Sequence, residues 1–146
     1  MKVNARTRTR RLVLQGLYEW QISGNQPVKI EAQFLVEKDT KKINVDYFRE
    51  LIIGVPRHID EIDALISPLV DRSIDEIDAV ERAALRLATY ELLRHPEIPY
   101  RVIINESIEL VKMFGAEQGY RFINGILDKL AEEIRSAEVN ARKKTK

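Results

Sequence analysis

A chain of 146 residues, 45% hydrophobic and 32% charged, can bury one core but has no room for a second catalytic domain. It contains no cysteine, which excludes disulfides, thiolate metal sites and cysteine nucleophiles. It has no apolar run near the ~18 residues of a membrane span and no signal-peptide pattern, so a cytoplasmic location is expected.

The formal net charge of +1 conceals two regions of opposite sign. Residues 1–11 carry no acid and five cations, which are Lys2, Arg6, Arg8, Arg10 and Arg11. Residues 60–81 carry eight acids against the single cation Arg72. A basic start and an acidic middle predict two different binding partners.

The first predicted helix covers residues 7–23 and ends at Gly24. One of its faces is apolar, and another carries a ridge of Arg8, Arg11, Gln15, Tyr18 and Ile22. Guanidinium, amide and phenol groups together can bind phosphate, hydrogen-bond a base edge and stack on a base. The alternative is an arginine-rich helix start that is merely solvated. We expect Lys2 and Arg6 to precede the helix on a flexible arm.

Three further segments before residue 96 have helical periodicity. Residues 28–38 predict a short helix. Residues 45–70 predict either one helix kinked at Pro56 or two helices that meet near it. Residues 79–95 are apolar on most sides, as in the central helix of a bundle.

The two histidines, His58 and His95, have no ligand partner at i+4, and the acidic clusters suit solvated faces. No metal site and no acid/base pair is therefore predicted.

The last predicted elements are two helices, residues 99–114 and 119–134, joined by a turn. Gly115 is expected to adopt the left-handed conformation that ends a helix. The second helix begins with polar and aromatic side chains beside free backbone N–H groups, an arrangement that attracts phosphate. Gly125 indicates either tight packing against another helix or the approach of an RNA backbone. Residues 142–146 are expected to be disordered.

Every predicted element is helical, so the fold class is all-α. A hinge at residues 71–75 divides the chain into an N-terminal group, about 5–71, and a C-terminal group, about 75–135. A basic tail, residues 136–146, follows. We expect the ridge of the first helix and the start of the final helix to adjoin and form one cradle for a nucleotide strand.

Five segments carry a family resemblance: QGLYEW at 15–20, YFR at 47–49, INE at 104–106, FGAE at 114–117 and FINGILDK at 122–129. On these segments the chain, from about residue 5 to 135, resembles the NusB family of transcription antitermination factors. The resemblance implies an all-helical fold of two perpendicular three-helix subdomains. It also implies binding to the boxA element of nascent ribosomal or phage RNA together with NusE, a small ribosomal subunit protein. That complex modifies RNA polymerase so that it passes terminators.

The resemblance implies two binding surfaces. RNA would contact the start of the first helix and the start of the last, namely Lys2, Arg6, Arg8, Arg10, Arg11, Gln15, Tyr18, Gln118, Arg121, Phe122 and Asn124. The basic NusE would contact the acidic residues Asp75, Glu76 and Glu81. No catalytic residue, metal or cofactor is predicted.

Other functions remain open on the sequence alone. One is a helical adaptor whose basic and acidic surfaces both bind proteins, and another is self-association as a homodimer through the apolar edges of the hairpin. The helical module also resembles the N-terminal domain of a ribosomal RNA cytosine methyltransferase, but this chain has no cysteine and no room for the catalytic portion.

Overall fold

The computed structural model describes residues 3–144, which form eight α-helices and no strand. The helices are α1 (Ala5–Ser23), α2 (Pro27–Glu37), α3 (Val45–Arg57), α4 (Ile59–Ile66), α5 (Ala79–Arg94), α6 (Tyr100–Phe114), α7 (Gly119–Ile134) and α8 (Ser136–Lys144). Two 3-10 turns, Ser67–Leu69 and Ile74–Glu76, link α4 to α5. The all-α prediction is confirmed.

Local sequence sets the ends of the helices. The Asn4 side chain accepts a hydrogen bond from the backbone nitrogen of Thr7 at 2.9 Å and so caps α1. Gly24, with φ 74°, ends α1 in the left-handed conformation. Pro56 lies in the last turn of α3, and the chain continues as a separate helix after His58. Of the two alternatives expected there, the pair of helices is confirmed.

Helix α5 lies at the centre of the bundle, as predicted. It packs against α1, α3, α4, α6 and α7, and residues 82–92 are all buried. Ala83 and Ala84 are fully buried, and their small side chains let neighbouring helices come close. Within residues 3–144, no helix has both the length and the apolar character needed to cross a bilayer.

The expected division at residues 71–75 falls between α4 and α5, in the segment that contains the second 3-10 turn. Helix α1 packs on both sides of this division, against α2 and α3 and also against α5 and α6. The two three-helix subdomains, about 5–71 and 75–135, stay a prediction.

The turn between α6 and α7 differs from the prediction. Gly115 is extended, with φ −97° and ψ −176°, and Gln118 is the left-handed residue, with φ 80°. A Cβ on Gly115 would lie 2.9 Å from the carbonyl oxygen of Val111. Gly115 is therefore needed for a close backbone approach, and the reversal of chain direction occurs at Gln118, directly before α7.

The C-terminal residues are helical rather than disordered as far as Lys144, so the expected disorder is wrong for residues 142–144. Val139 of α8 is 5% exposed. The Glu138 carboxylate accepts a hydrogen bond from the backbone nitrogen of Tyr100 at 2.9 Å and pairs with Arg135 at 2.8 Å. These contacts hold α8 against the start of α6.

Two glycines inside helices have opposite surroundings. A Cβ on Gly16 would lie 2.5 Å from Cδ1 of the buried Ile52, whereas nothing lies within 4 Å of a Cβ on Gly125. We expect Gly16→Val to lower the free energy of unfolding by about 2 kcal/mol through overpacking. The matched Gly125→Val should change it by less than about 0.5 kcal/mol. Urea denaturation of both variants measures the difference, and equal losses would contradict the packing at Gly16.

The tight packing considered for Gly125 is therefore wrong, because this glycine faces open space. Its other interpretation, the approach of an RNA backbone, stays a prediction.

Candidate nucleic-acid interface

The predicted ridge on α1 is accessible along its length. Arg8, Arg11 and Gln15 are half-buried, and Tyr18 and Ile22 are exposed by 42% and 60%. Their spacing of three or four residues places them on one helix face. The structure thus brings these five side chains together.

The first arginines of α1 are ordered by neighbouring groups. Arg8 donates hydrogen bonds to the carbonyl oxygens of Lys42 at 2.8 Å and Val3 at 3.2 Å. Arg6 lies inside α1, not on a flexible arm, and its guanidinium carbon is 4.6 Å from the centre of the Tyr47 ring. These hydrogen bonds and the ring contact are made to uncharged groups. Lys2 lies outside the described residues.

Arg10 does not belong to this surface, and the prediction that it binds RNA is wrong. It is 3% exposed, and its guanidinium pairs with Glu91 at 2.9 Å and with Glu106 at 2.8 Å. It shares a helix face with the buried Val13 and Leu17. Burial disfavours its charged form, but the two carboxylates outweigh burial and raise the pKa of Arg10. Its donors are occupied inside the protein.

The two buried ion pairs join α1 to α5 and α6, and a hydrogen bond to one of the same carboxylates adds α3 to the network. Glu91 of α5 also accepts a short hydrogen bond from the hydroxyl of Tyr47 in α3. Glu106 of α6 also accepts one from the hydroxyl of Thr7 at 2.6 Å. Burial, and then the charge of Glu91, raise the pKa of Tyr47 far above its usual value. A fully satisfied network of this kind holds the outer face of α1 in a defined position.

A groove of about 560 Å³ opens beside the tyrosine end of the ridge. Tyr18 and Ile22 of α1 form one side of it, and Phe114, 38% exposed, contributes from the end of α6. Apolar side chains from three elements also line it, namely Leu14, Phe34 and Val80. Its polar lining comes from Gln15, Glu19, Ser23, Gln33, Glu37 and Lys38.

The start of α7 exposes Gln118, Arg121 and Asn124, whereas Phe122 is half-buried. The backbone nitrogens of Gly119 and Arg121 already donate to the carbonyls of Ala116 and Gln118, both at 3.1 Å. This helix start therefore offers fewer free N–H groups to a phosphate than expected. The Arg121 guanidinium donates to the Tyr120 hydroxyl at 3.1 Å and remains on the exposed side of the helix.

Arg72, which sequence reasoning did not assign, covers one face of Phe122. Its guanidinium carbon lies 4.9 Å from the ring centre, and it also pairs with Asp71 at 2.9 Å. Because Phe122 also packs against the core, a base could contact only the part of the ring that neither Arg72 nor the core covers. The sequence did contain one indication of a role for Arg72, since it is the single cation among the eight acids of residues 60–81.

Of the acidic residues expected to bind a protein partner, Glu81 adjoins the same helix start. Asp75 and Glu76 are exposed in the second 3-10 turn, and Glu81 is half-buried in the first turn of α5. A Cβ on Gly119 would lie 2.7 Å from Oε2 of Glu81, so the carboxylate packs against the backbone of α7. Burial, and then the nearby Asp78, raise the pKa of Glu81. The two predicted surfaces therefore share a border.

The expected cradle consists of the ridge on α1 and the start of α7, and the groove lies between the end of the ridge and the turn that precedes α7. Tyr18 and Phe114 both line the groove, and Phe114 is the last residue of α6, from which the turn leads directly into α7. Arg8 lies toward the other end of α1, beside the connection between α2 and α3. A single cradle that includes both Arg8 and Phe122 stays a prediction.

Comparisons with known proteins agree with this geometry. A family model described as the NusB family matches residues 7–132. The transcription antitermination protein NusB of Nitrosococcus oceani is 50% identical over 139 residues, which cover 95% of this chain and 93% of that protein. The structure of T. maritima NusB superposes with a TM-score of 0.79 at 34% identity, over 91% of this chain and 94% of that one.

A structure of the antitermination factors NusB and NusE in complex with double-stranded RNA is also similar. Its matching chain has a TM-score of 0.76 and 30% identity, and the match covers 87% of this chain and 96% of that chain. The sequence relatives, the family match and the shared helical architecture lead to one conclusion: this chain belongs to the NusB family.

Proposed function

We propose that this chain is a non-catalytic transcription antitermination factor that binds boxA-type single-stranded RNA together with NusE. In this proposal it acts in the cytoplasm, in the complex that modifies RNA polymerase during transcription of ribosomal RNA operons. The observation that carries the proposal is the ridge on α1, where two guanidinium groups, an amide and an exposed phenol lie on one face. Relatives named transcription antitermination proteins support it.

The proposed RNA contacts fall into two chemical groups. Cations that can neutralise phosphates are Lys2, Arg6, Arg8, Arg11 and Arg121. Side chains that can hydrogen-bond or stack on bases are Gln15, Tyr18, Gln118, Phe122 and Asn124. Arg10 is removed from the set because its guanidinium is buried, and it acts instead by positioning α1.

The acidic surface of Asp75, Glu76 and Glu81 is the proposed site for NusE. Its negative charge complements a basic ribosomal protein, and complementary charge accelerates association. The border between this surface and the Arg72 and Phe122 pair would place the two ligands side by side. In the similar NusB and NusE structure, both proteins occur in one complex with RNA.

Replacing Arg8 and Arg11 together with alanine should weaken RNA binding about tenfold or more and flatten its salt dependence. The reason is that log K falls by roughly 0.7 per tenfold increase in salt for each phosphate neutralised on a single strand. Filter binding of a boxA-like RNA over a series of salt concentrations measures both effects. The matched control replaces Arg49 and Arg57, two exposed arginines of α3. An unchanged salt slope in the ridge variant would contradict the proposal.

Two controls separate this function from its rivals. A scrambled strand and a duplex of the same sequence test whether the preference is for the single-stranded element. A helical adaptor would bind NusE without shifting any RNA in a gel. Homodimerisation, which the exposed Met113 and Phe114 at the hairpin edge favour, would appear in size exclusion of the protein alone.

A further inference from the structure

Glu19 is an acid on the border of the cationic face of α1. It directly follows Tyr18, is half-buried, and lines the groove beside it. Its Oε2 atom is covered from solvent and has no hydrogen-bond partner in the described part of the protein. A covered carboxylate oxygen without a donor is unfavourable, so turning the Glu19 side chain to bring this oxygen into the groove against a ligand N–H would be stabilising.

The groove around Glu19 has the form of a stacking site for a flat ring. Tyr18 and Phe114 contribute exposed aromatic rings, and Leu14 and Phe34 are buried apolar residues in its lining. Single-stranded RNA is commonly recognised by bases that leave the stack and pack against aromatic side chains. The volume of about 560 Å³ leaves room for such a base.

Charge favours a base in the groove over the phosphate backbone. Two carboxylates, Glu19 and Glu37, line it against one ammonium group, that of Lys38, so its charged lining is acidic on balance and disfavours phosphate. The Lys38 ammonium lies over the Phe34 ring, 5.2 Å from its centre. Arg11, Gln15 and Glu19 follow one another at i+4 along α1, so a strand with its phosphates on the arginines has a base near Glu19. This continuity with the ridge also favours RNA over a protein side chain as the occupant.

We propose that this groove is a nucleobase pocket in which Glu19 selects a base that carries an exocyclic amino group, namely adenine, cytosine or guanine, over uracil. A carboxylate only accepts hydrogen bonds, and an amino group only donates them. Guanine offers two adjacent N–H groups to the two oxygens. Uracil offers one N–H, and this N–H lies between two carbonyl oxygens. The carboxylate repels these oxygens. The inference rests on the proposed RNA-binding function and adds its base preference.

The test uses oligouridine strands that carry a single guanine, adenine or cytosine at successive positions, with affinity measured by fluorescence anisotropy. The wild-type protein should bind one substituted strand about fivefold or more tightly than oligouridine, as expected for one specific base contact. Glu19→Leu, which removes the acceptor, should reduce that preference to less than about twofold. The matched control Glu37→Leu, an exposed acid on the same groove, should keep it.

Each contrary result has a distinct meaning. If Glu19→Leu keeps the wild-type preference, the base pocket is wrong, although the protein still binds RNA. If it weakens NusE binding and leaves the RNA preference intact, the groove is a protein site and the pocket is again wrong. If the wild-type protein binds no substituted strand more tightly than oligouridine, the pocket is wrong as well. The proposed function fails separately, if the protein does not bind the boxA-like RNA of the filter-binding test with NusE present. Should circular dichroism show that Glu19→Leu is unfolded, Phe114→Ala replaces it. Phe114→Ala should lose affinity for the preferred strand more than for oligouridine, and an equal loss would overturn the pocket.

Discussion

Replacing Arg10 with alanine should lower the free energy of unfolding by about 3–5 kcal/mol, the usual loss when one partner of a buried ion pair is removed. The variant would leave the carboxylates of Glu91 and Glu106, 1% and 9% exposed, without their cation. The remaining donors, the hydroxyls of Tyr47 and Thr7, carry no charge that could replace it. Urea denaturation followed by circular dichroism measures the loss.

The neighbouring Arg11 provides a matched control for Arg10. It is half-buried on the outer face of α1, so Arg11→Ala should change stability by less than about 0.5 kcal/mol. The two variants should affect different properties. Arg11→Ala weakens RNA binding in a stable protein, and Arg10→Ala destabilises a protein whose folded fraction still binds. If Arg10→Ala were stable but no longer bound RNA, Arg10 would have to be a direct RNA contact, and its structural role would be contradicted.

Replacing Arg135 with alanine should destabilise the protein by about 3 kcal/mol, because several acceptors lose one charged donor. Its guanidinium donates to the carbonyl oxygens of Leu92 at 2.9 Å, His95 at 2.8 Å and Ile98 at 3.0 Å. These carbonyls belong to the end of α5 and the connection to α6, where a helix leaves acceptors unpaired. Arg135 is 9% exposed, so water does not readily replace it.

Arg101→Ala, at an exposed position of α6, is the control for Arg135 and should leave stability nearly unchanged. Hydrogen exchange adds a local measurement. Relative to the wild-type protein, exchange in Arg135→Ala should accelerate more for amide protons near the end of α5 and in α8 than for those in α2, which packs mainly against α1 and α3. Uniform acceleration throughout the chain would contradict a clamp at this site.

Periodicity and helix-ending residues predicted most of the fold. Gly24 and Pro27 separate α1 from α2, Pro56 marks the end of α3, and Pro96 follows α5. The apolar character of residues 79–95 predicted the central helix. These signals are local, because capping and proline geometry depend on a few neighbouring residues.

The burial of Arg10 needed information from distant positions. Its spacing to Val13 and Leu17 placed it on the inner face, but an arginine in a basic run is ordinarily exposed. Its partners were visible only as single acids, Glu91 in an apolar helix and Glu106 on an apolar face. Each residue of the network could be noted in the sequence, but the contact between residues so far apart along the chain could not be predicted from it.

The remaining differences also have tertiary causes. The left-handed residue is Gln118 rather than Gly115. Gly115 is instead extended, and its backbone lies close to the carbonyl oxygen of Val111. Helix α8 has little periodic pattern of its own and is held mainly through Val139 and Glu138. Glu19 stood out only when the groove beside it was known. The predicted ridge, in contrast, depended on one helix alone and was visible from spacing.

The buried network also has a consequence for the timing of folding during synthesis. Arg10 pairs with residues 81 and 96 positions further along the chain. At about 5–20 residues per second, a ribosome needs roughly 5–20 s to add the last of these partners. We therefore expect the helix that is translated first to be fixed in place among the last, only after the central and sixth helices have been made.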